Sequence, residues 1–376
     1  MSNILRSFSS LYFATLLMVL ASGVLTTYLG LRLAADSAAQ IWIGGMMSAY
    51  YLGLVAGSKI GHKLIARVGH IRAFVASAGI TTASALGHAL IEDLAIWLVL
   101  RLMIGVILTI VFILGESWIN QLVVEQWRGR LVALYGCSYA LSQLAGPLLL
   151  GVLGTANDMG FWVGVALLMI SPLVLLGRSG APSSEAMSVT FRDLLGFCRG
   201  LPAIAWGVSL FAAFEAMILT LLPVYCLQQG FTEQVALAMV STVVVGDALL
   251  QLPIGALADY LSRRALFTGC AVILMLSSLA IPMLLDTLLI WPLWVLFGAS
   301  AGGLFTLSLI LIGERYRDDA LVRANAHVAQ LWGIGCLIGP LAAGAGSQWV
   351  SGHALPLLMA AGAFGLVILL VRQGAF

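Results

Sequence analysis

Twelve long apolar segments leave this chain little choice of fold. They cover residues 8–32, 41–61, 71–91, 94–117, 129–153, 159–177, 203–227, 233–257, 265–285, 288–313, 321–345 and 354–372. A transmembrane helix needs about 20 mostly apolar residues, whereas a transmembrane strand alternates polar and apolar residues over segments of about 10. Because the segments are long and do not alternate, the sequence predicts an all-α integral membrane protein with twelve transmembrane helices, numbered here as spans 1–12.

Composition excludes the soluble classes of protein. The chain has 376 residues, of which 61% are hydrophobic and 9% charged, while soluble domains carry about 25% charged residues. The net charge of +2 gives no reason to expect a nucleic-acid partner. The cysteines are scattered without a Cys-x-x-Cys pair, and the chain lacks a nucleotide-binding P-loop. We therefore expect neither an enzyme nor a bound metal or cofactor.

The chain repeats itself at a constant offset of 198 residues. The matching pairs are Gly57 with Gly255, Gly61 with Asp259, Gly105 with Gly303, and Glu116 with Glu314. Repeats of this kind indicate a duplicated structural unit. The spans divide six and six around a polar stretch, which predicts a helical bundle at residues 1–177, a linker at 178–202 and a second bundle at 203–376. Residues 190–198 of the linker have the pattern of a short interfacial helix.

The distribution of basic residues predicts the orientation in the membrane. Of the 18 lysines and arginines, 16 fall on alternate connections or at the two ends of the chain. Cytoplasmic loops are the ones enriched in lysine and arginine. The pattern therefore predicts that both termini and the central linker are cytoplasmic.

The connections between spans 2 and 3, and between spans 8 and 9, carry a motif. The second copy has glycine, leucine, alanine, aspartate and two arginines at Gly255, Leu257, Ala258, Asp259, Arg263 and Arg264. The first copy keeps Gly57 but has Gly61 in the acidic position, and its basic residues are displaced toward Arg72. Span 4 contains Arg101 four residues before Gly105, and span 5 contains the Gly146-Pro147 pair.

On these motifs the chain resembles the major facilitator superfamily (MFS), and in its short length and short loops it resembles small bacterial efflux-type members. The resemblance implies two six-helix bundles related by pseudo-two-fold symmetry. It also implies alternating access of a central site to the two sides of a bacterial inner membrane. The expected partners are a small-molecule substrate, protons and the lipid bilayer, and the expected oligomeric state is a monomer.

Three ionisable residues stand out within the predicted spans: Glu215 in span 7, Asp247 in span 8 and Arg101 in span 4. Each costs about 2.5–3.5 kcal/mol to place in hydrocarbon. A desolvated carboxyl group favours its protonated form, so the two acids are candidates for proton coupling or for binding a cationic substrate. Arg101 is a candidate for binding an anion or for acting on the acids by its charge. The alternatives are acids bonded to neighbouring polar groups, and an arginine in a fixed ion pair.

A second group of residues is predicted to form a cytoplasmic gate. Glu116 and Glu314 end spans 4 and 10, and basic residues follow each of them. The predicted gate and motif set comprises Gly57, Gly61, Arg72, Glu116, Arg128, Arg130, Gly255, Asp259, Arg263, Arg264, Glu314 and Arg323. In the gate hypothesis, charge pairs across the cytoplasmic mouth hold the outward-facing state. The alternative is solvated charges that contribute little to stability.

Polar and aromatic residues at helical spacing are candidates for lining the transport cavity. They are Thr26, Thr27, Tyr135, Tyr139, Gln143 and Gln251. Packing between helices is the alternative interpretation of the aromatic members.

Together these features favour a secondary active transporter that exports a small amphipathic or cationic compound in exchange for protons. A second hypothesis is a proton-coupled importer of a small polar or anionic solute, with Arg101 as the anion contact. The hypotheses from a different class are a membrane enzyme and a non-transporting membrane receptor. Two acids within spans 7 and 8 argue against a receptor that transports nothing.

Overall fold

A computed structural model describes residues 2–122, 142, 145–154, 158–175, 191–258, 260–316 and 318–373. Every regular element in those ranges is helical. The helices of the first half are α1 (Ser2–Ala35), α2 (Gln40–Val68), α3 (His70–Leu90), α4 (Leu94–Leu122), α5 (145–153) and α6 (Met159–Ile170). A short 3-10 helix, Ser171–Leu175, continues α6.

The linker and the second half are also helical where they are described. The elements are α7 (Phe191–Gly200), α8 (Pro202–Gln228), α9 (Glu233–Leu257), α10 (Arg263–Leu284), α11 (Ile290–Arg315), α12 (Asp318–Trp349) and α13 (Ala354–Gln373). Spans 1–6 of the sequence analysis therefore correspond to α1–α6, and spans 7–12 to α8–α13. The short helix expected in the linker is α7.

The predicted spans agree with these helices to within a few residues at most ends. Within the described ranges, nine helices are long and apolar enough to cross a membrane. Several helices extend beyond their apolar segments; α1 and α12, for example, have 34 and 32 residues. A helix satisfies its backbone hydrogen bonds internally, so it can continue beyond the hydrocarbon region. Most of predicted span 5 lies outside the described residues.

Local sequence signals explain where the helices begin and end. Gly69, with a φ of 81°, separates α2 from α3, and Gly230, with a φ of 91°, follows α8. Glycine adopts such positive φ values without a steric penalty. Pro202 occupies the first turn of α8, where its missing N–H costs no hydrogen bond. At the start of α10, the Ser262 hydroxyl accepts a hydrogen bond from the Ala265 N–H at 3.4 Å.

The chain forms two compact units, described separately here. The first comprises residues 1–36 and 49–187, and the second comprises 37–48 and 188–376. In the first unit, α3 contacts α4 and α6, and α1 contacts α4 and α6. In the second, α10 contacts α11 and α13, and α8 contacts α11 and α13. The second unit thus repeats the helix pairs of the first, as the 198-residue offset predicts.

Glycines bring particular helix pairs into close contact in each unit. In the first unit, a Cβ atom on Gly53 of α2 would collide with the Leu102 carbonyl oxygen of α4. In the second, a Cβ on Gly298 of α11 would collide with the Val243 carbonyl oxygen of α9. Because helices in lipid associate through close packing of small residues, these glycines fix the separation of the helices that carry the candidate site.

The linker helix α7 packs on the second unit. Leu194 and Phe197 belong to a buried cluster with Val208 of α8, Ile312 of α11 and Val328 of α12. This apolar face explains why a ten-residue helix forms in a polar linker.

Candidate functional site

The site of the second unit begins with Glu215, at the midpoint of α8. Its Oε2 accepts a hydrogen bond from the Trp332 indole Nε1–H of α12 at 2.9 Å. The two helices approach closely enough because Gly335 and Gly339 of α12 face Ser209 and Ala213 of α8. The Glu215 side chain is partly buried, and this one described donor holds its carboxyl group in position.

Asp247 lies on the neighbouring helix, α9, in a second polar group. Its Oδ1 accepts a hydrogen bond from Gln251 Nε2 at 2.7 Å, one helical turn further along. The Gln251 Oε1 in turn accepts from the Thr306 hydroxyl of α11 at 3.2 Å. A Cβ atom on Gly302 of α11 would collide with Asp247 Oδ1. The absence of a side chain at Gly302 therefore makes room for the carboxyl group between the two helices.

The two acids act on each other, and no base neutralises them in the described part of the chain. The negative charge of Asp247 is one of the charges that Glu215 experiences. Ion pairs in the described part of the chain, such as Arg32 with Asp36 and Arg263 with Glu314, do not involve either acid. Two carboxyl groups without a cationic partner make this region of the second unit suited to binding protons or a cation.

The third predicted ionisable residue, Arg101, lies in the first unit on α4 and is 3% exposed. Its Nη1 donates to the Thr26 hydroxyl at 3.2 Å, and its Nη2 donates to the Leu25 carbonyl oxygen at 3.4 Å, both on α1. Thr27 is also buried. The structure therefore brings Arg101 together with predicted residue Thr26, through hydrogen bonds to neutral groups.

At the motif of the second half, Arg263 forms an ion pair with Glu314 of α11. The Arg263 Nε also donates to the Ala258 carbonyl oxygen at 3.1 Å. The pair lies within the second unit, and its side chains are 31% and 48% exposed. It joins the start of α10 to the end of α11, which anchors the connection that carries the motif.

The other members of the predicted gate set occupy varied surroundings. A Cβ on Gly57 or Gly61 would lie within 3 Å of α4 atoms, whereas a Cβ on Gly255 would meet only Thr306, at 3.8 Å. The side chains of Arg72 and Arg323 are exposed, and that of Arg264 is partly buried.

Some predicted residues lie outside the described part of the chain. They are Tyr135, Tyr139 and Gln143 of the cavity set, and Arg128, Arg130 and Asp259 of the gate set. Glu116 has a described backbone in α4 but lies outside the described side chains. These predictions remain predictions.

Sequence reasoning missed two partners of the acids, Trp332 and Thr306. Trp332 lies within span 11, away from the membrane interfaces where tryptophan is usually enriched, and that position was an available signal. Thr306 carried no comparable signal. Within the described ranges, no group of three histidine, cysteine, aspartate or glutamate side chains is arranged to hold a metal ion.

Long apolar helices, a duplicated helix arrangement and acids within the spans define a class: helical membrane carriers built from two homologous bundles. The family model described as Major Facilitator Superfamily matches residues 7–246 and 204–374. The chain belongs to this superfamily. It is a multi-pass membrane transporter with the MFS fold and is not an enzyme.

Individual proteins resemble it over nearly their full lengths. An uncharacterized MFS-type transporter from Enterobacter sp. (strain 638) is 26% identical over 379 residues, covering 99% of this chain and 97% of the relative. The solved nucleoside transporter NupG has a TM-score of 0.77 at 16% identity and covers 100% of both chains. A solved D-xylose-proton symporter has a TM-score of 0.73 at 15% identity, covering 98% of this chain and 97% of that one. At these identities the solved structures show the fold alone.

Proposed function

We propose that this transporter couples the movement of its substrate to protons, with Glu215 and Asp247 as the proton-binding groups. The supporting observation is the pair of carboxyl groups on adjacent helices, α8 and α9, which hydrogen-bond to neutral donors and lack a basic partner in the described ranges. An ionised acid in a membrane interior is costly. Protonation removes that cost, so each acid gains a proton when its surroundings lose water and releases it when water returns.

The charge of this region favours a cationic or amphipathic substrate. Two acids that act on each other repel when both are ionised, and either two protons or a cation relieves that repulsion. Competition between protons and a cation for the same carboxyl groups produces exchange: protons enter as the cation leaves. We therefore propose export of a small amphipathic or cationic compound by proton antiport across the bacterial inner membrane, with both termini cytoplasmic.

Proton-coupled import of a small polar or anionic solute is the second candidate. It gains support from one structurally similar protein, which is a D-xylose-proton symporter. However, the proposed anion contact, Arg101, borders a cavity of about 10 Å³, which is room for about one water molecule. An Arg101 enclosed in this way does not reach a solute of sugar or nucleoside size.

The experiment has two stages. A thermal-shift screen of the purified protein against drugs, nucleosides and sugars at pH 6 and pH 8 first identifies compounds whose binding depends on pH. Proteoliposomes with a pH-sensitive dye inside then report proton flux when the selected compound is added. We expect a cation such as ethidium to release protons from the binding site and to drive proton movement in the direction opposite to its own.

Charge-neutralising variants test the residues. Glu215→Gln and Asp247→Asn keep the shape of the side chain but remove the titratable proton. Each should therefore lower substrate-driven proton flux at least tenfold. Asp286→Asn is the matched control, because Asp286 is an exposed acid of the same unit, and this variant should keep the flux. Unchanged proton flux in both site variants would rule out the proposed coupling, whereas symport of D-xylose or a nucleoside would favour the second candidate.

A further inference from the structure

The hydroxyl group of Thr306, in α11, bonds differently from other hydroxyl groups of the second unit. Those of Thr220, Thr242 and Ser308 each donate to the carbonyl oxygen one helical turn earlier in their own helix, at 2.7–2.8 Å, which is a common arrangement for serine and threonine within helices. The Thr306 hydroxyl instead donates across to α9, where Gln251 Oε1 accepts it at 3.2 Å. This bond connects α11 to the polar group that contains the second acid.

The amide of Gln251 lies between this hydroxyl and the acid. Its Nε2 donates to Asp247 Oδ1 at 2.7 Å, while its Oε1 accepts from Thr306. A Cβ atom on Gly302 of α11 would collide with Asp247 Oδ1 and would lie 2.9 Å from Gln251 Nε2. Because Gly302 has no side chain, the amide has room to rotate about its last bond, and this rotation exchanges the positions of its nitrogen and its oxygen.

The arrangement in the structure suits an ionised Asp247, because a carboxylate only accepts hydrogen bonds. A protonated Asp247 carries an O–H group and needs an acceptor for it. In the proposed transport mechanism the proton arrives when water leaves the site, so the acceptor has to come from the protein. Reversal of the Gln251 amide supplies one: Oε1 then faces Asp247 Oδ1 and accepts the new O–H, while Nε2 faces Thr306 Oγ1 and donates to it.

The distances between these atoms are compatible with the reversed amide. An O–H···O bond usually measures about 2.5–3.0 Å and an N–H···O bond about 2.7–3.2 Å. The 2.7 Å between Asp247 and Gln251 falls in both ranges, and the 3.2 Å between Gln251 and Thr306 falls only in the second. After the reversal, the Thr306 hydroxyl is released and can donate to the Gly302 carbonyl one turn earlier. The carboxyl proton, the amide and the hydroxyl therefore have partners in both states.

The helices that pack most closely against α9 in the described part of the chain are α8 and α11, and they determine which other charges act near Asp247. The charged side chain of α8 is Glu215, which experiences the charge of Asp247. The charged side chains of α11 are Glu314 and Arg315, in its last turn, and the other one of α9 is Glu233, at its start. A test therefore has to separate the titration of Asp247 from that of Glu215.

We propose that the Gln251 side-chain amide reverses with the protonation state of Asp247. It presents its N–H to the ionised acid and its carbonyl oxygen to the protonated acid, and Thr306 supports both orientations. Gln251 and Thr306 are thus positioning residues for the proton site, and a proton on Asp247 of α9 changes a hydrogen bond of α11. The proton is the one atom gained, and the other hydrogens stay on the groups that carry them. This inference rests on the proposed role of Asp247 as a proton-binding group.

The test is infrared difference spectroscopy of the purified full-length protein at pH 5 and pH 8, with 13C at the side-chain carbonyl of its glutamines. The carbonyl band of Gln251 should shift between the two pH values, because its hydrogen-bond donor changes from the Thr306 hydroxyl to the Asp247 carboxyl group. Asp247→Asn, which is neutral at both pH values, should abolish the shift.

Matched variants assign the shift to its residue. Gln251→Leu should abolish it, and Glu215→Gln should preserve it, which separates the two acids. Gln330→Leu is the control for the labelled glutamines, because Gln330 Oε1 lies 3.1 Å from Nδ1 of His327, a second titratable group. This variant should preserve the Gln251 shift.

Variants of Thr306 distinguish a reversing amide from a fixed network. In Thr306→Val the Gln251 carbonyl loses its donor at pH 8 but keeps Asp247 as its donor at pH 5. Its band should therefore leave the wild-type position at pH 8 alone, whereas a fixed network predicts a displacement at both pH values. Thr306→Ser should match the wild type. Substrate-driven proton flux in proteoliposomes should fall several-fold in Thr306→Val and recover in Thr306→Ser.

The failure of this inference is distinguishable from the failure of the proposed function. The protonated-carboxyl band of Asp247, which Asp247→Asn removes, shows directly whether this acid titrates. If it titrates while the Gln251 band stays at one frequency, the amide does not reverse and the proton-binding role of Asp247 is unaffected. If the carboxyl band is absent at pH 5, both proposals are refuted. The wild-type shift and its loss in Asp247→Asn decide the matter if Thr306→Val does not fold.

Discussion

Replacement of Gly298 by alanine tests whether close packing of α11 against α9 holds the site together. A Cβ atom at this position would collide with the Val243 carbonyl oxygen and would lie 2.9 Å from the Asp247 backbone nitrogen. Both atoms belong to the helix backbone, so they cannot move aside as a flexible side chain can. Overpacking typically costs about 1–3 kcal/mol, and a clash with backbone should fall in the upper half of that range.

The matched control is Gly269→Ala in α10, where a Cβ atom would meet nothing within 4 Å. Each substitution gains up to about 1 kcal/mol of helix propensity, so this gain cancels when the two variants are compared. The difference between them then reports the clash, about 2–3 kcal/mol. At about 2–4 °C per kcal/mol, thermal unfolding in detergent should place Gly298→Ala about 4–12 °C below Gly269→Ala. Equal melting temperatures would refute the reasoning that these helices are held at a fixed separation.

Three further predictions concern the surroundings of the acids, the motif and the linker. Trp332→Phe keeps an aromatic ring but removes the hydrogen bond to Glu215, so the pH dependence of proton flux in proteoliposomes should change. Trp206→Phe, which alters an exposed indole of α8, is the control and should leave that pH dependence unchanged. A double-mutant cycle of Arg263→Gln and Glu314→Gln should give a coupling below about 1 kcal/mol in thermal unfolding, weaker still in high salt, because the pair is half-exposed; a larger, salt-insensitive coupling would contradict this. Burial raises the pKa of the Cys198 thiol in α7, so less thiolate is present at neutral pH. In a variant with the other cysteines replaced by alanine, iodoacetamide should therefore label Cys198 more slowly in the folded protein than in the unfolded chain. The labelling rate of the folded protein should still rise above pH 9.

The position of Glu215 illustrates how far sequence reasoning reaches at the site. An acid in the middle of an apolar segment is visible from hydropathy alone, and the helix bounds confirm that it lies at the centre of α8. Its partner Trp332 is 117 residues away, on a helix whose rotation depends on how Gly335 and Gly339 pack. Gln251 was predictable because it lies one turn from Asp247, whereas Thr306, 55 residues further on, was not.

Arg101 shows the same limit in the other unit. The sequence allowed three roles for it: a fixed ion pair, a substrate contact or a charge acting on the acids. In the structure its described hydrogen bonds go to neutral groups of α1. The cavity that it shares with Thr81 and His88 depends on four helices whose facing sides no periodicity in a single helix specifies.

The sequence by itself determined the class of the protein: hydropathy specified the helices, a constant offset revealed the duplication, and motifs in two connections indicated the superfamily. These properties are local or repetitive, because the cost of placing polar groups in hydrocarbon acts on each segment separately. Only the tertiary structure decided the pairing of Glu215 with Trp332, the room that Gly302 leaves for Asp247, and the enclosed surroundings of Arg101. Those outcomes depend on helix separation and rotation, which arise when small residues on different helices pack together.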